Sequence, residues 1–161
     1  MGNDGSPQNP NRWQAWSYVL IQGVLLVLLV FLHRTLGPQL HRLILTGFVI
    51  EWLGIVGILV CAASLRRSLT VVPLPKEGGK LSTSGLYRYV RHPMYTSVLL
   101  FSLGVAIESG SVIKYCLVLA LFTLFYFKSV YEEKYLALKY SDYDQYSSRI
   151  PRFIPFTKGK N

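Results

Sequence analysis

Long apolar stretches alternate with polar, cation-bearing links along this chain. The first stretch covers about 16–36; Arg12, Trp13 and Trp16 stand at its entrance, and His33 and Arg34 near its exit. The second covers about 43–65 and stops at Arg66 and Arg67. At about 1.5 Å of rise per residue, roughly 20 apolar residues cross the hydrocarbon core of a bilayer, so both predict transmembrane helices. The boundary tryptophans suit an interfacial aromatic belt. A third stretch starts at Pro93 and runs to about 108. It is short for a span by itself, and the polar motif ahead of it is expected to begin its helix. The fourth covers about 112–131 and follows a brief link around Glu108 to Ser111.

Past Tyr131 the pattern changes to a charged helix, Glu132 to about Ser141, closed by an aromatic and basic segment carrying Pro151 and Pro155. The fold class that follows is all-α: a polytopic membrane protein of about four transmembrane helices plus a C-terminal interfacial helix. A polar lead, 1–14, is expected to be disordered, the membrane domain to cover 15–157, and a short tail to cover 158–161. The lead lacks the basic region and short apolar core of a signal peptide. The links are the first at Gly37, Pro38, His41 and Arg42, and the longest from Arg66 to His92. In the latter, Pro73, Pro75, Gly78 and Gly79 break any regular helix.

Composition sharpens this picture. Apolar residues make up 51% of the chain and charged residues 16%, against about 25% charged in soluble domains. The formal net charge of +9 sits between and after the apolar stretches, which matches loops and lipid headgroups rather than a nucleic-acid partner. Four spans place both termini and the Arg66–His92 link on one side. That side collects Arg12, Arg66, Arg67, Lys76, Lys80, Arg88, Arg91 and the basic C-terminal segment; the other holds Arg34, Arg42 and Lys114. By the positive-inside rule the first side faces the cytoplasm. A bacterial inner membrane and an internal eukaryotic membrane both fit. Cys61 and Cys116 lie inside apolar stretches, so neither a disulfide framework nor a metal site is expected.

Candidate chemistry gathers in two places on the cationic side. The first is Gly85-Leu86-Tyr87-Arg88-Tyr89-Val90-Arg91-His92-Pro93-Met94-Tyr95. Pro93 suits the first turn of a helix, which puts Arg91 and His92 at a helix N-terminus, where the dipole favours an anion. Plain interfacial anchoring by Tyr and Arg accounts for the same residues equally well. The second place is Glu132-Glu133, an acidic pair on a cationic face, with Lys128 and Lys134 close enough along the helix to offset it. Adjacent helix positions point about 100° apart, so one of the two is expected to face a ligand.

At these residues the chain resembles the isoprenylcysteine carboxyl methyltransferase family, within the wider group that includes the phospholipid methyltransferases. The shared pattern reads here as Gly85-Leu86-Tyr87, Arg91-His92-Pro93-Met94-Tyr95, Glu132-Glu133-Lys134-Tyr135-Leu136, Tyr143 and Tyr146, and Arg152-Phe153-Ile154-Pro155. It covers about the last half of the chain. The resemblance implies S-adenosyl-L-methionine as cofactor, held between the RHPxY segment and the acidic pair. Arg91 and His92 suit its carboxylate, Glu132 or Glu133 its ammonium or a ribose hydroxyl, and Tyr87 and Tyr95 the cationic centre. Pro93 and Met94 complete that segment, and Leu81 and Ser82 are implied to line the nucleotide. His92 and Glu133 are the catalytic candidates. No Gly-rich loop of the Rossmann type follows a strand, which excludes the soluble methyltransferase fold.

The implied reaction is methyl transfer to a lipid-like acceptor, and the implied substrate is a carboxylate on a prenylated or similar molecule. A phospholipid or other small-lipid N- or O-methyltransferase is the nearest alternative. Longer relatives carry an arginine on the helix ahead of the acidic pair; this chain has Lys128 as the nearest cation, so Lys128 is a substrate candidate. Glu51 is another, because a charge at the centre of a span costs at least about 2.5 kcal/mol. Two further classes compete: an NADPH-dependent sterol-reductase-like enzyme, which shares a histidine-proline-tyrosine segment, and a non-catalytic membrane scaffold. Four short spans barely enclose a chamber, which leaves room for a homodimer.

Overall fold

The computed structural model describes residues 12–32, 41–64 and 81–157. The links 33–40 and 65–80, most of the polar lead and the tail from Lys158 lie outside the described residues, as do the side chains of His41 and Arg42. The expectations attached to Gly37, Pro38, Arg66, Arg67, Pro73, Pro75, Gly78 and Gly79 therefore fall outside them too.

The described residues form helices and turns with no strand: α1 (Arg12–Phe31), α2 (His41–Ser64), a 3-10 turn (Gly85–Arg88), α3 (Pro93–Ser109), α4 (Val112–Lys139) and α5 (Tyr143–Arg149). Three of them, α1, α2 and α4, are long and apolar enough to cross a membrane, and α3 is a shorter apolar helix of 17 residues. Their outward faces carry Leu20, Val24, Val27, Leu45, Leu53, Leu59 and Leu119, all exposed. Such surfaces suit lipid as the surrounding medium.

Two boundaries differ from the sequence reading. α1 starts at Arg12, so the last residues of the expected lead are helical. The fourth apolar stretch and the charged segment after it form one unbroken helix of 28 residues. No glycine or proline interrupts 112–139, so nothing locally favours a break at the change in polarity. The separate C-terminal helix is α5, seven residues long.

α2 and α3 pack antiparallel and very closely. A Cβ on Gly47 would lie 2.6 Å from the backbone nitrogen of Glu108 and 2.8 Å from the carbonyl oxygen of Gly104. Cβ atoms on Gly54 and Gly104 would run into the backbones of Phe101 and Glu51. Only glycine permits that approach. Gly110 ends α3 at φ 60°, the left-handed conformation typical of a helix stop. The chain then enters α4 after Ser111.

α1 runs antiparallel to α4. The rings of Tyr18 and Tyr131 meet at 5.8 Å, and one turn deeper Lys128 donates to Gln22. Below that, Leu25 and Leu26 pack on a core of Leu121, Phe125 and Phe153. The start of α1, the end of α2, the start of α3 and the end of α4 therefore share one end of the bundle, where the polar residues also gather.

Candidate functional site

The site begins with a backbone graft. Arg91 N donates to the carbonyl of Pro151 at 2.8 Å, and His92 N donates to that of Arg152 at 3.1 Å. Thr96 Oγ1 adds a bond to the carbonyl of Phe153 at 2.9 Å. Residues 151–153 thus lie across the start of α3, where Pro93 occupies the first turn and His92 caps it. Proline at that position lacks only an N–H that the helix could not have used.

The side chains then converge on α4. Glu133 is buried. Arg152 grips it with two parallel bonds, Nε to Oε1 at 3.0 Å and Nη2 to Oε2 at 2.7 Å. Paired geometry of this kind is stronger and more directional than a single charged contact. His92 Nε2 lies 3.0 Å from Glu133 Oε1. A carboxylate held by guanidinium groups accepts only, which places the ring hydrogen on Nε2. Arg91 Nη1 is 3.3 Å from Glu133 Oε2. On the other edge of the imidazole, Nδ1 is 3.6 Å from Glu132 Oε2, and Tyr95 donates to that same oxygen at 2.8 Å.

The two glutamates lie on either side of the His92 ring. Both line the site: the His92 ring bonds Glu133 through Nε2, while Glu132 is held by Tyr95 and flanks the Nδ1 edge at 3.6 Å. The ring also stacks in parallel on Tyr95 at 5.2 Å, and Tyr95 stacks on Phe125 at 4.8 Å. This column locks the imidazole orientation. One helical turn below Glu132, buried Lys128 lies 5.2 Å from the centre of the Tyr95 ring.

α5 braces the opposite wall. Tyr146 donates to the carbonyl of Tyr87 at 2.7 Å, fixing the 3-10 turn. Burial pushes the Tyr146 hydroxyl up to about 12, with Arg91 lowering it and Glu133 raising it. Burial likewise raises Tyr87 and Tyr143 well above the ordinary phenol range. The bond to Glu133 raises Arg152 against the opposing effect of its burial.

Arg91 and Tyr143 lie against one another, the guanidinium lowering a phenol that burial raises, yet Arg91 Nε, Arg91 Nη1 and the Tyr143 hydroxyl make no aligned hydrogen bond among the described residues. The Arg91 Nη1 contact to Glu133 is close enough for attraction but not aligned as a hydrogen bond. Unused buried donors are costly.

Arg91, His92, Pro93, Tyr95, Lys128, Glu132 and Glu133 are thus brought together, with Tyr87 at the edge. Met94 is half-buried in the first turn of α3, and Leu81 and Ser82 are half-buried in the extended segment before the 3-10 turn. Glu51 is elsewhere. Its backbone packs on Gly104, about three turns along α3 from His92, or roughly 17 Å. Two participants escaped the sequence reading. Arg152 stood in the terminal motif without an assigned partner, and Gln22 interrupts the first apolar stretch as an isolated amide, a signal available in the sequence.

Residues 43–143 match the family model for phospholipid methyltransferases. The chain belongs to that family. Among curated relatives, this phospholipid methyltransferase family member is 36% identical over 77 residues to the protein-S-isoprenylcysteine O-methyltransferase of Schizosaccharomyces pombe, covering 47% of this chain and 33% of the relative. It is 31% identical over 83 residues to protein-S-isoprenylcysteine O-methyltransferase B of Arabidopsis thaliana, covering 50% and 42%. The cobalt-zinc-cadmium resistance protein CzcN of Cupriavidus metallidurans aligns over 139 residues at 30% identity, covering 85% of this chain and 61% of the relative. The chain spans about a third of the length of the Schizosaccharomyces pombe protein.

Proposed function

We propose that this chain is an S-adenosyl-L-methionine-dependent methyltransferase that O-methylates a carboxylate on a prenylated or other lipid-like acceptor at the bilayer surface. The observation that carries the reading is the buried group of Arg91 and the Tyr143 hydroxyl, set against one another with donors in no aligned hydrogen bond among the described residues, beside the Glu132–Glu133 pair. Together they offer donors for a carboxylate and acceptors for an ammonium or ribose hydroxyl, which fits both ends of the amino-acid moiety of the cofactor. Tyr95 and Tyr87 supply aromatic faces and His92 a fixed polar edge. Family membership and the curated methyltransferase relatives support the same reading.

When bound, the cofactor supplies an electrophilic methyl group on a sulfonium centre. The chain contributes alignment and exclusion of water. A carboxylate acceptor is already ionised, so no proton has to be removed. An amine or hydroxyl acceptor needs a base, and His92, held at Nε2 by Glu133, is the group placed for that task. The exposed outer faces of the helices allow an apolar acceptor tail to approach from lipid. The cation-rich end is proposed to face the cytoplasm, in keeping with the charge bias of the links.

The test is calorimetric binding of S-adenosylhomocysteine and, separately, NADPH to detergent-purified protein, with His92→Ala and Arg91→Met as controls. Binding of S-adenosylhomocysteine that both variants lose supports the proposal. Binding of NADPH alone moves the chain to reductase chemistry, and binding of neither leaves a scaffold.

A further inference from the structure

The C-terminal segment presents its residues to two different surroundings. The inner ones close the polar cluster: Arg152 grips Glu133, and the Phe153 ring lies 6.0 Å from that of His92. The next ones point outward, with Ile154 63% exposed and Phe156 92%. Thr157 Oγ1 donates to the Ile154 carbonyl at 2.8 Å and closes the turn that carries them. Among the described residues Phe156 is the one non-glycine with a positive φ, at 64°. That left-handed conformation is sterically costly for a bulky residue. Its aromatic neighbour is the exposed ring of Tyr89, 6.3 Å away and just ahead of α3. A strained ring left in water gains too little from one such neighbour to offset the cost.

The depth of the turn identifies what covers it. α3 has 17 residues and rises about 25 Å, less than the roughly 30 Å of a hydrocarbon core. With Gly110 at the far boundary, the first turn of α3 lies at or inside the near one. Thr96 of that turn is bonded to Phe153. The segment also follows the outer flank of α4. Arg152 lies over the Tyr126 ring at 5.2 Å and Phe153 meets Phe122 at 6.0 Å, and both α4 rings are exposed. Tyr89, Ile154 and Phe156 are thus offered to the boundary between headgroups and acyl chains. Cations surround them. Arg88 and Arg149 are exposed, Lys158 and Lys160 follow the turn, and no acidic residue occurs after Asp144. Apolar groups ringed by cations fit an anionic leaflet.

We propose that Tyr89, Ile154 and Phe156 form a hook that inserts into an anionic leaflet, and that its seating keeps residues 151–153 on the start of α3. The coupling is short: the amides of Arg91 and His92 donate to the carbonyls of Pro151 and Arg152, which directly precede the hook. Lipid composition then sets how firmly the polar cluster is closed, whatever chemistry that cluster performs.

The experiment measures hydrogen–deuterium exchange by mass spectrometry on the full chain in nanodiscs, one copy per disc, in phosphatidylcholine alone or mixed with phosphatidylglycerol. No methyl donor is added, so the outcome is independent of the methyltransferase reading. In the wild type the anionic lipid should slow exchange at Arg91 and His92 by about tenfold, the scale of a cation or two at a charged surface. Phe156→Asn tolerates the left-handed backbone and removes the ring, so it should exchange at the fast rate in both lipids. Phe156→Trp keeps an interfacial aromatic and should follow the wild type. Residues 101–106, in the α2–α3 seam, report on folding and should exchange alike in all three proteins. If they do not in Phe156→Asn, the comparison of lipids in the wild type and Phe156→Trp decides. Equal exchange of the wild type in the two lipids, or a lipid effect retained by a folded Phe156→Asn, overturns the hook. Protection that appears only with two copies per disc overturns the leaflet as its occupant and points to a second chain.

Discussion

The α2–α3 seam and the polar end of the bundle are held together by opposite means. Along the seam, Gly47, Gly54 and Gly104 remove side chains so that two backbones touch. In lipid, helices gain little from burying apolar surface against one another, and close van der Waals contact takes over as the cohesive force. At the polar end α3 meets α4 through charged side chains instead, Arg152, Arg91, His92 and two glutamates, with residues 151–153 bonded to the start of α3. The seam is tolerant of charge state and intolerant of volume. The polar end is the converse. A substitution that changes charge without volume should therefore injure the one, and a single added methyl group the other.

The largest effect is expected from Glu133→Gln, which keeps shape and removes the anion shared by Arg91, His92 and Arg152. Breaking a buried pair from one side costs on the order of 3–5 kcal/mol. S-adenosylhomocysteine binding should disappear in calorimetry, and the thermal midpoint in detergent should drop markedly. If affinity survives within about threefold, the carboxylate does not organise the site.

Gly54→Ala should act on the seam alone. The new methyl group meets the backbone of Phe101, so α2 or α3 must shift. Overpacking of this kind costs about 1–3 kcal/mol. Thermal unfolding should reveal that loss, while S-adenosylhomocysteine affinity per folded molecule stays close to wild type. Loss of affinity in step with stability would show that the seam and the site are one unit.

The smallest effect belongs to Tyr146→Phe. It removes one bond, Tyr146 to the Tyr87 carbonyl, worth about 0.5–1.5 kcal/mol. The folded hydroxyl titrates at about 12, against about 10 in an unfolded chain. A raised folded value means that its contribution is complete below the unfolded value and fades as pH climbs through about 12. Wild-type stability should decline across that window more steeply than that of Tyr146→Phe. Parallel pH profiles for the two proteins would remove this hydroxyl from the alkaline transition.

The helices and the chemistry were legible in the sequence to different depths. Apolar runs long enough to span are a property of composition alone, so α1, α2 and α4 could be placed from it, and Pro93 marked the start of α3. What could not be read was contact across long separations. Nothing local says that Arg152 reaches back to Glu133, or that Gln22 lies against Lys128, 106 residues away. The acidic pair shows the limit of helix geometry in another way: two neighbours about 100° apart can both line a site when a ring stands between them. Glu51 drew attention as a charge in a span, and its backbone lies against Gly104, about three turns of α3 from His92.

The graft of Arg91 and His92 onto Pro151 and Arg152 also orders events in time. Thr96 and its partner Phe153 are 57 residues apart, with α3, α4 and α5 made between them. The helices can therefore enter the bilayer and find their seam before the site has a closing wall. Completion of the polar cluster thus depends on residues 151–153, the last part of the cluster to be synthesised.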